Sequence, residues 1–149
     1  MYKSKSIGVI IPAHNEGTQI SAVIESLPDF VDHMVVIDDN STDNTVAIVE
    51  QYKNQDHRIV LIRHEENRGV GGAMASGYKY AAEHDFDVAV RMDGDGQMAA
   101  EDMPALLDPV VTDQADFAKG NRLFTGEAYR KIPKVRYFGN AFLSLFTKI

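Results

Sequence analysis

The most suggestive chemistry in this sequence is the segment Asp93-Gly94-Asp95-Gly96-Gln97. In extended backbone, residues two apart point the same way, so both carboxylates can face one cation. An all-oxygen donor set suits Mg²⁺ or Mn²⁺. Two carboxylates and Gln97 leave such an ion open positions for diphosphate oxygens, whose charge it would neutralise. The alternative is an Asp/Gly turn at a strand end. A calcium EF-hand is excluded, because the sixth and twelfth loop positions from Asp93 hold Met98 and Pro104 in place of Gly and Glu.

Four further polar or glycine-rich segments share this character. They are Pro12-Ala13-His14-Asn15-Glu16, Asp38-Asp39-Asn40-Ser41-Thr42-Asp43, Asn67-Arg68-Gly69-Val70-Gly71-Gly72, and Lys119-Gly120-Asn121-Arg122. The third lacks the glycine spacing of a dinucleotide fingerprint, and no Gly-Lys-Ser/Thr occurs to make a P-loop. A glycine-rich helix start can still face an anion, with Arg68 as a fixed positive charge beside it. Of Asp38 and Asp39, one carboxylate suffices to end a strand and complement a helix dipole. The other is available to accept an N–H from a nucleobase edge. Of the five histidines, 33, 57, 64 and 84 read as surface or strand-edge residues, and His14 sits at the site edge without a role.

The elements that must position these segments alternate. Apolar runs at Ile7–Ile11, Met34–Ile37, Ile59–Ile62 and Val88–Met92 read as strands, and Ala115–Ala118 as a fifth. Helical patterns fall at Glu16–Leu27, Asp43–Tyr52, Gly71–Glu83 and Asp102–Val111. The strands lack strict alternation, as expected when helices cover both faces. Repeated βα units imply an α/β fold with a mostly parallel sheet and right-handed crossovers. Ligands of such sheets bind at the carboxyl ends of the strands, where all five polar segments fall.

The composition fits one folded domain: 149 residues, 44% hydrophobic and 25% charged. No cysteine is present, which excludes disulfides, thiol nucleophiles and Cys-ligated metals. No signal peptide is recognisable at the N-terminus, and no apolar stretch is long enough to span a membrane. The net charge of −7 is unevenly distributed. Residues 1–116 carry 8 basic and 21 acidic residues, whereas 117–149 carry 7 basic residues and one acid. A basic end on an acidic body points to an anionic partner, or to a solvated basic face. Val135, Phe138, Phe142, Leu145 and Ile149 recur at helical spacing, fitting either a core-packing helix or a lipid-facing one. The pattern stops in mid-helix, so the natural protein is expected to continue. Residues 1–128 are expected to form the ligand-binding core, and 129–149 to begin an amphipathic acceptor-side or membrane-surface segment.

Taken in order, four motifs resemble those of the family 2 glycosyltransferases. P-A-H-N-E (12–16) is similar to the family's opening motif, and V-V-I-D-D-N-S-T-D-N-T (35–45) to its second-strand signature. N-R-G-V-G-G-A-M-A-S-G (67–77) resembles its glycine-rich helix start, and M-D-G-D-G-Q (92–97) its D-x-D motif. Gln97 and K-G-N-R (119–122) look most like the polyprenyl-phosphate sugar transferases, of the dolichol-phosphate mannose synthase type. His14 stands where many relatives carry Tyr.

The resemblance implies a GT-A (nucleotide-diphospho-sugar transferase) fold and a nucleoside-diphosphate sugar donor. It implies that Pro12, Ala13 and Glu16 border the nucleotide, that Asp39 holds the base, and that Arg68 and Asp93 lie by the nucleoside and diphosphate. Asp93, Asp95 and Gln97 would surround Mg²⁺ or Mn²⁺, with Asp95 and Arg122 the catalytic residues. No general base is visible, and a phosphate acceptor, already an anion, needs none. The expected reaction is therefore a metal-dependent, inverting transfer to a polyprenyl phosphate. A saccharide or other soluble acceptor, or a truncated nucleotide-sugar-binding domain without turnover, are the alternatives. The expected location is cytoplasmic, peripheral at the inner membrane face through the C-terminal segment, with no nucleic acid as partner.

Overall fold

The computed structural model describes residues 1–120, and every element below lies in the compact unit Met1–Asp116. The order is β1 (Ile7–Ala13), α1 (Ile20–Ser26), β2 (His33–Asp38), α2 (Thr45–Lys53), β3 (Ile59–Arg63), α3 (Gly69–Glu83), β4 (Val88–Arg91), a 3₁₀ turn (Ala100–Asp102) and α4 (Met103–Val111). The four strands form a parallel sheet in the order β3-β2-β1-β4. The sheet grows outward from β1 and then returns to its other side. That reversal opens a crevice at the carboxyl ends of β1 and its neighbours.

The missing alternation in the strands now has its cause. Ile7, Val9 and Ile11 of β1 join Met34 and Val36 of β2 against Ile20, Val23 and Ile24 of α1, Val49 of α2, and Met103 and Leu107 of α4. The intervening Ile10, Val35 and Ile37 face Ala73, Met74 and Ala81 of α3. Both faces are therefore buried, and each large apolar side chain so covered contributes about 1.5–3 kcal/mol. α3 lies very close to the sheet. A Cβ added to Gly77 would stand 2.2 Å from Ile10 Cγ2, so only glycine permits this approach.

Three expectations from the sequence are corrected. β1 runs through Pro12 to Ala13 and does not stop at Ile11. The Pro12 carbonyl accepts the Gly94 N–H, so its missing N–H falls on the β4 side too, beyond the last register pair, Ile10–Arg91. α1 begins at Ile20, not Glu16: the N–H groups of Glu16 and Gly17 are tied to Thr45 and Asp43, and residues 17–19 form a turn. Residues 115–118 are not a strand. The N–H groups of Gln114 and Ala115 turn back to the Pro109 carbonyl at 2.9 and 3.0 Å, and Phe117, the segment's one large apolar side chain, is exposed. Among the described residues, no helix is long and apolar enough to cross a membrane.

Candidate active site

The loops after β1 and β2 are stitched together, and this fixes the floor of the crevice. Asn15 adopts φ +58°, the left-handed region that Asn tolerates. Its Oδ1 accepts the backbone N–H of Thr42 at 2.8 Å, and its own N–H donates to Ser41 Oγ at 2.9 Å. The Glu16 N–H donates to Thr45 Oγ1 at 2.9 Å, and the Gly17 N–H to Asp43 Oδ2 at 3.0 Å. Asp43 Oδ1 in turn accepts the N–H of Thr45, at the start of α2. The Thr45 side chain holds its carboxyl below the usual range, more than partial burial raises it. Much of the polar sequence at 15–17 and 41–45 therefore serves as connections between loops.

The two adjacent aspartates divide their tasks. Asp38 is buried, and its carboxylate accepts the Ser41 N–H, closing the loop. Asp39 is 3% exposed and borders a cleft. Its Oδ1 accepts from His64 Nδ1 at 2.7 Å and from the Arg68 N–H at 2.9 Å. Burial by itself would raise the Asp39 carboxyl. The hydrogen bonds from the Arg68 N–H and the His64 ring outweigh it and hold the group below the usual carboxylate range. Its carbonyl accepts from His14 Nδ1 at 2.8 Å, and a carbonyl only accepts, so that ring carries its proton on Nδ1.

The third part comes from the end of β4. The strand stops at Arg91 and the chain turns at 94–95, so the two aspartates are not in extended backbone. Asp93 and Asp95 nevertheless border the same cleft. Gly94 between them allows it. Its N–H reaches the Pro12 carbonyl at 3.3 Å, and a Cβ there would come within 3.1 Å of that oxygen. Arg91 Nε donates to Asp93 Oδ1 at 2.8 Å, and the Gln97 N–H to Asp95 Oδ1 at 3.0 Å.

The cleft measures about 240 Å³. Of the residues expected from the sequence, Pro12, Ala13, Glu16, Asp39, Asp93 and Asp95 line it. Arg68 and Gln97 do not, and contribute their backbone N–H groups to Asp39 and Asp95. Arg122 and residues 129–149 lie outside the described residues. His14, Val70, Ala73, Arg91 and Gly94 complete the wall.

The donor chemistry of this cleft fits an oxygen-ligated divalent cation. Burial, followed by the negative charges of Asp95, Asp43 and Asp93, pushes the Glu16 carboxyl above its ordinary value. Negative charge is thus concentrated here. Among the described residues no three His, Asp or Glu side chains converge on one point. A cation held by Asp93 and Asp95 would accordingly take further oxygens from a ligand.

The sequence places His64 at the surface or at a strand edge; it directly follows the edge strand β3, and it is buried. Its position immediately after β3, where ligand-facing residues gather, was the available signal. Arg91 was also missed, although its place two residues before Asp93 marked it as a neighbour on the same face.

Residues 8–148 match the model of glycosyl transferase family 2. The chain belongs to this family. It is 33% identical to the UDP-N-acetylglucosamine–dolichyl-phosphate N-acetylglucosaminyltransferase of Methanococcus voltae, covering 96% of this chain and 62% of that protein. It is 32% identical to the polyprenol monophosphomannose synthase of Mycolicibacterium smegmatis, covering 84% and 48%. The glucosyl-3-phosphoglycerate synthase of Mycobacterium tuberculosis, solved with Mn²⁺, UDP and glucosyl-3-phosphoglycerate, superposes with a TM-score of 0.57 at 25% identity, covering 73% of this chain and 40% of that one. The parallel sheet with helices on both faces is thus the GT-A fold. This family 2 chain spans 48–62% of the length of these two curated relatives.

Proposed function

We propose that this chain forms the nucleotide-sugar-binding part of a metal-dependent, inverting glycosyltransferase whose acceptor is a polyprenyl phosphate. The observation that carries the reading is one cleft bordered by both Asp39 and the Asp93/Asp95 pair. Asp39, ionised and anchored, accepts an N–H from the base edge. Pro12, Ala13 and Glu16 border the nucleotide, and the Arg68 backbone fixes Asp39 from behind. Asp93 and Asp95 would hold Mg²⁺ or Mn²⁺, with the Gln97 N–H orienting the Asp95 carboxylate; the ion when bound supplies charge neutralisation to the diphosphate. The relatives named for dolichyl-phosphate and polyprenol substrates support the choice of acceptor.

The reaction is a single displacement at the anomeric carbon. An acceptor phosphate oxygen forms the new bond from the face opposite the diphosphate. The bond from that carbon to the diphosphate oxygen breaks, and its electron pair leaves with the nucleoside diphosphate. Configuration inverts. The acceptor oxygen is already anionic, so no residue takes a proton. Arg122 offers its guanidinium to the diphosphate or to the acceptor phosphate, and the basic 119–136 stretch favours a second anionic substrate beside the first. The same stretch brings the protein peripherally to the inner face of the membrane, as an extension of the 1–128 core.

The likeness to a glucosyl-3-phosphoglycerate synthase favours a second reading, a soluble phosphorylated acceptor. Incubating the full chain with labelled nucleotide sugars and either a polyprenyl phosphate or soluble phosphorylated and unphosphorylated acceptors separates the two. Transfer to the lipid phosphate alone is the expected result. Transfer only to a soluble acceptor contradicts the proposal.

A further inference from the structure

The Asp39 carboxylate is held by more than its own loop. His64, at the end of β3, donates Nδ1–H to Asp39 Oδ1 at 2.7 Å, and the two residues are 8% and 3% exposed. The other ring nitrogen, Nε2, pairs with Ser76 Oγ of α3 at 2.9 Å. The Arg68 N–H reaches the same Oδ1 at 2.9 Å. Three elements thus meet behind one carboxylate oxygen.

We propose that His64, backed by Ser76, is a positioning residue for nucleobase selection. It acts through Asp39 by fixing the plane and charge of that carboxylate. The inference rests on the reading of Asp39 as the group that meets the base.

The terminal torsion of Asp is broad and roughly two-fold, so an unpinned carboxylate samples many planes. Two donors on one oxygen remove that freedom before the ligand arrives, which lowers the ordering cost of binding. An ionised carboxylate only accepts, so the ring must present Nδ1–H to it, while Nε2 pairs with the Ser76 hydroxyl. A fixed anionic acceptor favours a base edge that offers an N–H. It rejects an edge that offers a carbonyl or a ring lone pair, since buried polar groups are left facing like charge. If the carboxylate can turn, the rejection weakens more than the attraction does. His64 therefore governs affinity and base discrimination, and leaves the chemical step alone.

The test uses the full chain with Mn²⁺, and the probes are UDP with CDP and GDP with ADP, pairs in which the first base offers a ring N–H where the second offers a ring lone pair. Phe keeps the shape of the ring without a donor, whereas the Asn amide nitrogen falls close to the position of Nδ1. In His64→Phe, the better-bound diphosphate should lose about tenfold or more in affinity, the scale of one charge-assisted hydrogen bond, and its advantage over its lone-pair partner should shrink. His64→Asn should recover to within about threefold of the parent, and kcat should change little beside KM in both. A purely packing role predicts that Asn fails at least as badly as Phe.

Asp39→Asn is the control. If it weakens binding while His64→Phe binds like the parent, Asp39 works without His64 and the inference falls while the reading of Asp39 stands. If Asp39→Asn binds like the parent, the reading of Asp39 falls and takes the inference with it. A further readout covers a Phe variant that fails to fold. The Nδ1–H resonance of His64 in histidine-labelled parent protein should move with the preferred diphosphate and not with its lone-pair partner. An unmoved resonance with both overturns the proposal.

Discussion

Asn15 Oδ1 accepts the backbone N–H of Thr42 across 2.8 Å, joining the loop after β1 to the loop after β2. The residue making this bond has φ +58°. The two properties can be separated by substitution. Asn15→Gly keeps the conformation free of strain and loses the bond. Asn15→Ala loses the bond and adds about 1–2 kcal/mol of left-handed strain. Thermal melts should therefore rank the parent above Gly, and Gly above Ala. For a chain of this size each kcal/mol is about 2–4 °C. Equal melting of Gly and Ala would mean that the backbone relaxes out of the left-handed region.

Gly77 and Ile10 form the closest approach of α3 to the sheet, with an added Cβ only 2.2 Å from Ile10 Cγ2. Gly77→Ala should cost about 1–3 kcal/mol by overpacking, despite the better helix propensity of Ala. Ile10→Leu removes the branch at Cβ that the new methyl meets. The double variant should therefore be more stable than the sum of the single changes predicts, which a denaturant-unfolding cycle measures.

The depressed Asp39 carboxyl has a definite pH consequence. Its folded pKa lies below the unfolded value near 3.9, so its contribution to stability is fully present above that value. The contribution disappears as pH falls through the lower folded value. In Asp39→Asn the loss of stability relative to the parent should be constant between pH 5 and 7, where the carboxylate is ionised in both states, and should shrink below about pH 4. A pH-independent difference down to pH 2, followed by urea midpoints, would show that the Arg68 and His64 hydrogen bonds do not favour the charged form.

The four strands, the four helices and their order were legible in the sequence because both patterns are strong: buried runs of Ile and Val, and apolar residues at helical spacing. That the expected fifth strand does not form was not legible, because A-D-F-A contains a single large apolar side chain and nothing in the run shows whether that side chain finds a partner. Asp93, Asp95 and Asp39 could be placed at the site because parallel sheets present their carboxyl ends to ligands. The roles of Asn15, Asp43 and Thr45 could not, since a hydrogen bond between loops some thirty residues apart depends on tertiary geometry. The burial of His64 was not legible for a similar reason. Its burial follows from α3 closing over it through Ser76, and periodicity in β3 carries no trace of that contact.

In the proposed function, Asp39 and the Asp93/Asp95 pair belong to one nucleoside-diphosphate site in which binding depends on a divalent cation. Calorimetric titration of UDP and of GDP into the full chain, with Mn²⁺ and with EDTA, tests it most directly. At least one diphosphate should bind with Mn²⁺ and lose about tenfold or more in affinity with EDTA, and Asp95→Ala should abolish the Mn²⁺ dependence. Binding of equal strength with and without the metal, or an Asp95→Ala variant that keeps the full Mn²⁺ effect, would contradict the account.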